Sequence, residues 1–261
     1  METLYVVKIG GNVIDDALKL KGFLDVFSSI KGLKILVHGG GKLATQMAAQ
    51  LGIEQQLVDG RRITDAETLK VVTMVYAGYI NKNIVAQLQA NGANALGLSG
   101  ADGNIISALK RANAGIDYGF VGDVDRVNNK LLETLLQQGI TPVVCPITHN
   151  GDGQLLNTNA DTIAQELAKA LSKIYKVHLV YSFEKEGVLL NAEDETTVIK
   201  NITPVYYQQL KEEGTIFAGM IPKLDNAFAA LRSGVAKVII GKAEKLQQLV
   251  DNTAGTTIIY E

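Results

Sequence analysis

The chain has 261 residues, 47% of them apolar and 20% charged, which is enough to bury a core and excludes extended disorder. Its 25 lysines and arginines against 27 aspartates and glutamates leave a net charge of −2, so no basic field exists to hold nucleic acid or an anionic membrane. A single cysteine, Cys145, excludes an internal disulfide, and His38, His149 and His178 lack metal-ligand spacing, so no protein-held metal is expected and a small-molecule partner is.

The N-terminal residues enter a short apolar strand without the charged region, apolar stretch and cleavage site of a leader. No segment approaches the roughly 18 apolar residues of a spanning helix, so a cytoplasmic protein is expected. Apolar runs bounded by glycine predict buried strands over 4–9, 33–37, 95–98, 142–145, 176–181 and 235–240. Helical periodicity covers 16–30, 43–51, 65–89, 130–138, 162–171 and 222–233. Such alternation implies crossover connections and an α/β fold, a mostly parallel sheet sandwiched by helices. Residues 103–127 break the pattern with β-type pairs between glycines and predict hairpins at the sheet edge or over a cleft. From about Lys176 the pattern restarts with more charge, which reads as a second lobe; no linker marks the boundary, so the two lobes are expected to share one sheet.

The first strand closes in Lys8-Ile9-Gly10-Gly11 and the second in Val37-His38-Gly39-Gly40-Gly41-Lys42. Consecutive glycines at the carboxyl end of a parallel strand let bare amides meet an anion where the next helix begins. A lone pair of glycines is more often a tight turn, but two such turns on one edge point to a phosphate or a carboxylate at each. Gly39 to Ala44 also fits the spacing of a dinucleotide fingerprint, with Asp59 as its acid, but then the first turn has no role. Lys8, inside an apolar strand, either snorkels to solvent or reaches an anion.

Gly60-Arg61-Arg62-Ile63-Thr64-Asp65 precedes a long helix that Thr64 or Asp65 can cap. Its arginines are either solvated or clamp a carboxylate. Asn157-Thr158-Asn159-Ala160-Asp161 offers more polar side chains than one helix cap requires. The asparagines can bind a polar substrate while Asp161 fixes nearby ammonium groups. Lys223, behind Pro222 at a helix start, is poorly placed unless an anion sits beside it.

In this order these segments, with Ser99-Gly100-Ala101-Asp102-Gly103 and Gly219-Met220-Ile221-Pro222-Lys223, resemble the amino-acid kinase superfamily and, within it, the acetylglutamate kinase branch. The resemblance spans nearly the whole chain. It implies ATP-dependent phosphorylation of the side-chain carboxylate of N-acetyl-L-glutamate in arginine biosynthesis, with Mg2+ carried by the nucleotide. Residues 1–174 would bind the acylated amino acid and 175–261 the ATP. By motif, Lys8 and Lys223 would neutralise the transferring phosphoryl group, Asp161 would orient both lysines, and the amides of Gly11 and Gly40 would meet the phosphoryl group or substrate. Gly40, Gly41, Arg62, Asn157 and Asn159 would hold the substrate, and Gly10, Glu184, Gly187 and Gly219 the nucleotide. A carboxylate acceptor with a pKa of about 4.3 is already ionised and needs no general base, so a missing His or Cys constellation is expected.

Three departures from the family stand out. The loop Ser182 to Gly187 replaces a short Asp-containing turn in the ATP lobe. Arg61 adds a cation beside Arg62, which suits an acyl group with its own carboxylate, as in N-succinylglutamate. The chain starts almost at the first strand, without the helix of arginine-inhibited relatives, so a homodimer without that feedback is expected. The rivals are an amino-acid kinase for another acidic substrate, a ligand-sensing relative without catalysis, and a dehydrogenase.

Overall fold

The computed structural model describes residues 1–58, 61–112, 115–216 and 220–260, without the side chains of Arg61 and Pro222. The readings that fall on Asp59, Gly60, Gly219 and those two side chains therefore lie outside the described residues. From the N-terminus the chain runs β1 (Thr3–Ile9), α1 (Gly11–Ile14), α2 (Ala17–Ser29), β2 (Leu33–His38), α3 (Gly41–Gln50), β3 (Leu57–Val58), β4 (Arg61–Arg62) and α4 (Ala66–Thr73). A π-helical stretch, Met74–Ile80, leads into α5 (Asn81–Ala90), followed by β5 (Ala95–Leu98), β6 (Ile106–Lys110), β7 (Gly122–Val127), α6 (Asn129–Gln137), β8 (Thr141–Val144), β9 (Ile147–His149) and β10 (Leu155–Asn157). Then come α7 (Ala160–Leu171), β11 (Lys176–Phe183), β12 (Asn201–Ile202), α8 (Pro204–Glu212), α9 (Ile221–Arg232), β13 (Lys237–Lys242), α10 (Leu246–Val250) and β14 (Thr256–Ile258). The principal sheet has the order β12-β14-β13-β11-β1-β2-β8-β5, and among its described pairings only β13 with β14 is antiparallel. The chain divides into two compact units, residues 1–35 with 164–261, and residues 36–163.

In the first unit, β1 buries Leu4, Val6, Val7 and Ile9 completely, as a parallel strand covered on both faces must. It pairs with β11, Lys8 opposite Tyr181, and β11 pairs with β13, Phe183 opposite Lys242, so the chain leaves all three strands at one edge. Asp16 starts α2 by accepting hydrogen bonds from the amides of Leu18 (3.0 Å) and Lys19 (3.1 Å). Leu20, Phe23, Leu24 and Phe27 then form its buried stripe. Lys34 closes the far end, its Nζ donating to the carbonyls of Ser28 (2.8 Å) and Ile30 (2.6 Å), where the helix dipole favours a cation.

In the second unit, β8 lies parallel to β2 and β5. The predicted hairpin exists as antiparallel β6 and β7, but in a sheet of its own, ordered β10-β9-β6-β7, rather than on the edge of the principal one. Past Pro146 the chain leaves the principal sheet, and Ile147–His149 pairs with β10 and β6 instead. The helix predicted over 65–89 is continuous, with Asp65 as its cap, accepting from the Thr68 amide at 2.7 Å, while Thr64 is buried. Its middle is wound wider than an α-helix, over Met74–Ile80, which the periodicity did not reveal.

Candidate active site

The second unit supplies the glycine turn that follows β2. Gly40 has φ +142°, a conformation open to glycine, and a Cβ there would lie 2.1 Å from Cδ1 of Ile80 and 3.3 Å from Cδ1 of Tyr76. Both neighbours belong to the π-helical stretch, so the widened turn presses directly on this glycine. No side chain caps α3, which leaves its first-turn amides without a side-chain acceptor. Arg62 is tied to the same turn: its guanidinium donates to the Gly41 carbonyl (3.0 Å), to Thr45 Oγ1 (2.9 Å) and to Gln55 Oε1. Gln55 is held in turn by Nε2 donating to Thr68 Oγ1 (3.0 Å). Burial raises the Tyr76 hydroxyl pKa, opposed by Arg62 nearby. Thus Gly40, Gly41 and Arg62 stand together in the second unit. Thr45, Gln55 and Tyr76, which fix them, carried no sequence signal.

Behind the turn stands His38, with no exposed surface. Its Nδ1 lies 2.8 Å from the Gly39 carbonyl and its Nε2 lies 3.1 Å from Asn81 Nδ2. Asn81 Nδ2 also donates to the Val143 carbonyl (2.9 Å), and Lys82 Nζ donates to Asn81 Oδ1 (3.0 Å) and the Gly97 carbonyl (3.1 Å). Burial pushes the His38 pKa down to about 4; the Gly39 carbonyl opposes the shift and Lys82 adds to it.

Asn157 is stitched beside Arg62 through Thr64. Its Nδ2 donates to Thr64 Oγ1 (3.0 Å) and its amide to the Phe120 carbonyl (2.8 Å), while the Phe120 amide donates to the Thr64 carbonyl (2.6 Å). Asn159 caps α7: its Oδ1 accepts from the amides of Asp161 (2.8 Å) and Thr162 (3.2 Å), leaving Nδ2 as the group it can offer a ligand. Asp161 sits in the first turn of α7, where the dipole favours its charge.

In the first unit, Lys8 is half-buried near the end of β1, and its carbonyl accepts from Ser182 Oγ (2.9 Å). The Gly10 amide donates to the Ser182 carbonyl (3.0 Å), and a Cβ on Gly10 would stand 3.3 Å from that oxygen. Gly11 is different: its φ is ordinary and no described atom lies within 4 Å of where its Cβ would be. Lys223 lies in the first turn of α9, which has no side-chain cap.

Of the expected nucleotide residues, Glu184 is exposed. Gly187 has a packing reason as well, since a Cβ there would meet Thr256 Oγ1 at 2.6 Å, the same oxygen that accepts from the Val188 amide (2.8 Å). The anchored acid of this loop is Glu186, bridged to Lys245 (2.6 Å) and Lys242 (3.4 Å), and Lys242 also reaches Glu195 (3.2 Å).

The family model described as Amino acid kinase family matches residues 3–242. The acetylglutamate kinase of Cytophaga hutchinsonii is 58% identical over 99% of this chain and 99% of its own length. That of Bacteroides fragilis is 56% identical over 94% of each. Among solved structures, N-acetylglutamate synthase from Neisseria gonorrhoeae, complexed with coenzyme A and N-acetyl-glutamate, matches with a TM-score of 0.84 at 22% identity. The match covers 100% of this chain and 60% of that one, and at that identity the likeness is one of fold.

Proposed function

The chain belongs to the amino acid kinase family, and from that premise we propose that it transfers the γ-phosphoryl group of ATP to the side-chain carboxylate of N-acetyl-L-glutamate, a step of arginine biosynthesis. A carboxylate oxygen forms a bond to the γ-phosphorus while the bond to the β–γ bridging oxygen breaks, giving the acyl phosphate and ADP. The acceptor, with a pKa of about 4.3, has no proton to lose, so alignment and charge neutralisation carry the rate.

The observation that carries this reading is the anchoring of Arg62 to the Gly41 carbonyl and Thr45. It sets a fixed cation beside the uncapped amides of α3, a donor set complementary to a carboxylate. In our reading Arg62, Gly40, Gly41, Asn157 and Asn159 hold the acylated amino acid. Lys8, Lys223 and the amide of Gly11 neutralise the phosphoryl group in flight, and Asp161 orients the lysines. ATP enters as its Mg2+ complex and meets Gly10, Glu184, Gly187 and Gly219. Residues 1–174 serve the acceptor and 175–261 the nucleotide, in a cytoplasmic homodimer.

The test is incubation with Mg-ATP and N-acetylglutamate in the presence of hydroxylamine, which traps an acyl phosphate as the hydroxamate. Stoichiometric ADP and hydroxamate are expected; no ADP with any acylated acidic amino acid sinks the reading. N-succinylglutamate run in parallel decides which acyl group is preferred.

A further inference from the structure

His38 is a buried histidine with no part in the chemistry just proposed, yet its surroundings fix every proton on it. The Val143 carbonyl can only accept, so Asn81 must turn its NH2 toward that carbonyl, and the second hydrogen of that NH2 points at His38 Nε2. Lys82 Nζ can only donate, and it stands at Asn81 Oδ1, which sets the same orientation from the other side. Nε2 is therefore an acceptor, and the ring proton lies on Nδ1, where the Gly39 carbonyl receives it. β5 makes room for this relay with Gly97, where a Cβ would lie 2.0 Å from Asn81 Oδ1 and 2.8 Å from Lys82 Nζ.

We propose that His38 is a positioning residue for the acceptor side of the reaction: by holding the Gly39 carbonyl it directs the Gly40 amide, with Asn81 and Lys82 setting its tautomer. The link is the planar trans peptide, in which the carbonyl of one residue and the N–H of the next point in opposite directions. Drawing the Gly39 oxygen toward the buried ring turns the Gly40 N–H away from it. Tyr76 and Ile80, packed on Gly40, hold the other side of the same residue. The role of the Gly40 amide rests on the proposed function, whereas the relay that orients it does not.

Two measurements separate those layers. In the whole enzyme labelled with 15N-histidine, NMR near neutral pH is expected to show a neutral Nδ1–H imidazole that vanishes in His38→Gln. An Nε2–H or doubly protonated His38 overturns the proposal, whether or not the enzyme turns over an acylglutamate. In steady-state kinetics, His38→Gln, which lacks a donor at the Nδ1 position, is expected to lose about 10- to 100-fold in kcat/KM for N-acetylglutamate with KM for ATP nearly unchanged. His38→Asn, whose amide can replace Nδ1–H, is expected to recover most of that loss. Asn81→Asp, whose carboxylate draws a proton onto Nε2, is expected to replace the neutral Nδ1–H signals of His38 with those of a ring protonated at Nε2 in the same NMR experiment. Equal losses for both substrates, or unchanged constants in folded His38→Gln, would overturn it.

Discussion

The turn after β1 and the turn after β2 are spelled almost alike and are held in opposite ways. In the second, the protein itself explains the glycine: Gly40 lies at φ +142°, Ile80 and Tyr76 occupy the space of a side chain, and His38 grips the preceding carbonyl. In the first, Gly10 is pinned to Ser182, but Gly11 has an ordinary φ and no described neighbour where a Cβ would go. A glycine that neither backbone nor packing demands fits a backbone amide that something outside the chain must approach. The second turn then reads as a rigid cradle, and the first, under the function proposed above, as the surface that would meet the phosphoryl group.

The largest expected effect tests the bare side. Lys8→Ala should lower kcat about 10²- to 10³-fold, because its charge is felt mainly in the transition state, while the thermal midpoint stays close to that of the parent. A comparable loss of stability would make Lys8 a structural cation and erase the distinction. Next comes the paired substitution of the glycines. Gly40→Ala should cost about 1–3 kcal/mol in urea unfolding through strained φ and overpacking against Ile80. Gly11→Ala should leave stability within about 0.5 kcal/mol yet reduce kcat about tenfold or more. Equal stabilities for the two variants would break the comparison.

How much of this was legible depends on the range of the forces involved. The central strands could be read because a parallel strand covered on both faces is a contiguous apolar run, as Pro142 to Cys145 is. The glycines and Arg62 could be picked out as residue types that an anion needs. What holds them could not. Gln55, Thr45 and Tyr76 become neighbours of Arg62 only through the tertiary fold, and a π turn differs from an α turn by one residue of winding that no apolar period records. β9 and β10, three residues each, are too short to show alternation, and the local hairpin they form joins the second sheet only through the pairing of β9 with β6, Ser107 opposite His149. The cap left open between Thr64 and Asp65 was settled by burial: Thr64 is needed to meet Asn157, so the solvent-facing Asp65 caps the helix.

A smaller effect distinguishes the turns by pH. The folded-state pKa of His38, about 4, lies below the ordinary 6.5, so its contribution to stability is complete above 6.5 and is lost as pH falls toward 4. Between about pH 7.5 and about pH 5 the buried ring should cost on the order of 2 kcal/mol, since the unfolded chain takes the proton first. His38→Gln cannot titrate and should show a shallower decline. His178, also lowered to about 4, remains in both proteins and cancels in the difference. Parallel declines would show that the second turn is not held by a neutral imidazole.

The smallest effect concerns the loop that leaves β11 at the same edge as the first turn. Hydrogen bonding from Lys245, aided by Lys242, keeps the Glu186 pKa below its ordinary 4.5. This contribution is therefore present above 4.5 and is lost only as pH falls through the lower folded value, a window beneath that of His38. Because Lys245 is 42% exposed, solvent screening holds the pair to less than about 1 kcal/mol. Glu186→Gln should lower stability by no more than that and flatten the acid limb. If it also raises KM for ATP several-fold while the Gly11→Ala variant does not, then the nucleotide is positioned by this loop and the bare turn serves the phosphoryl group alone.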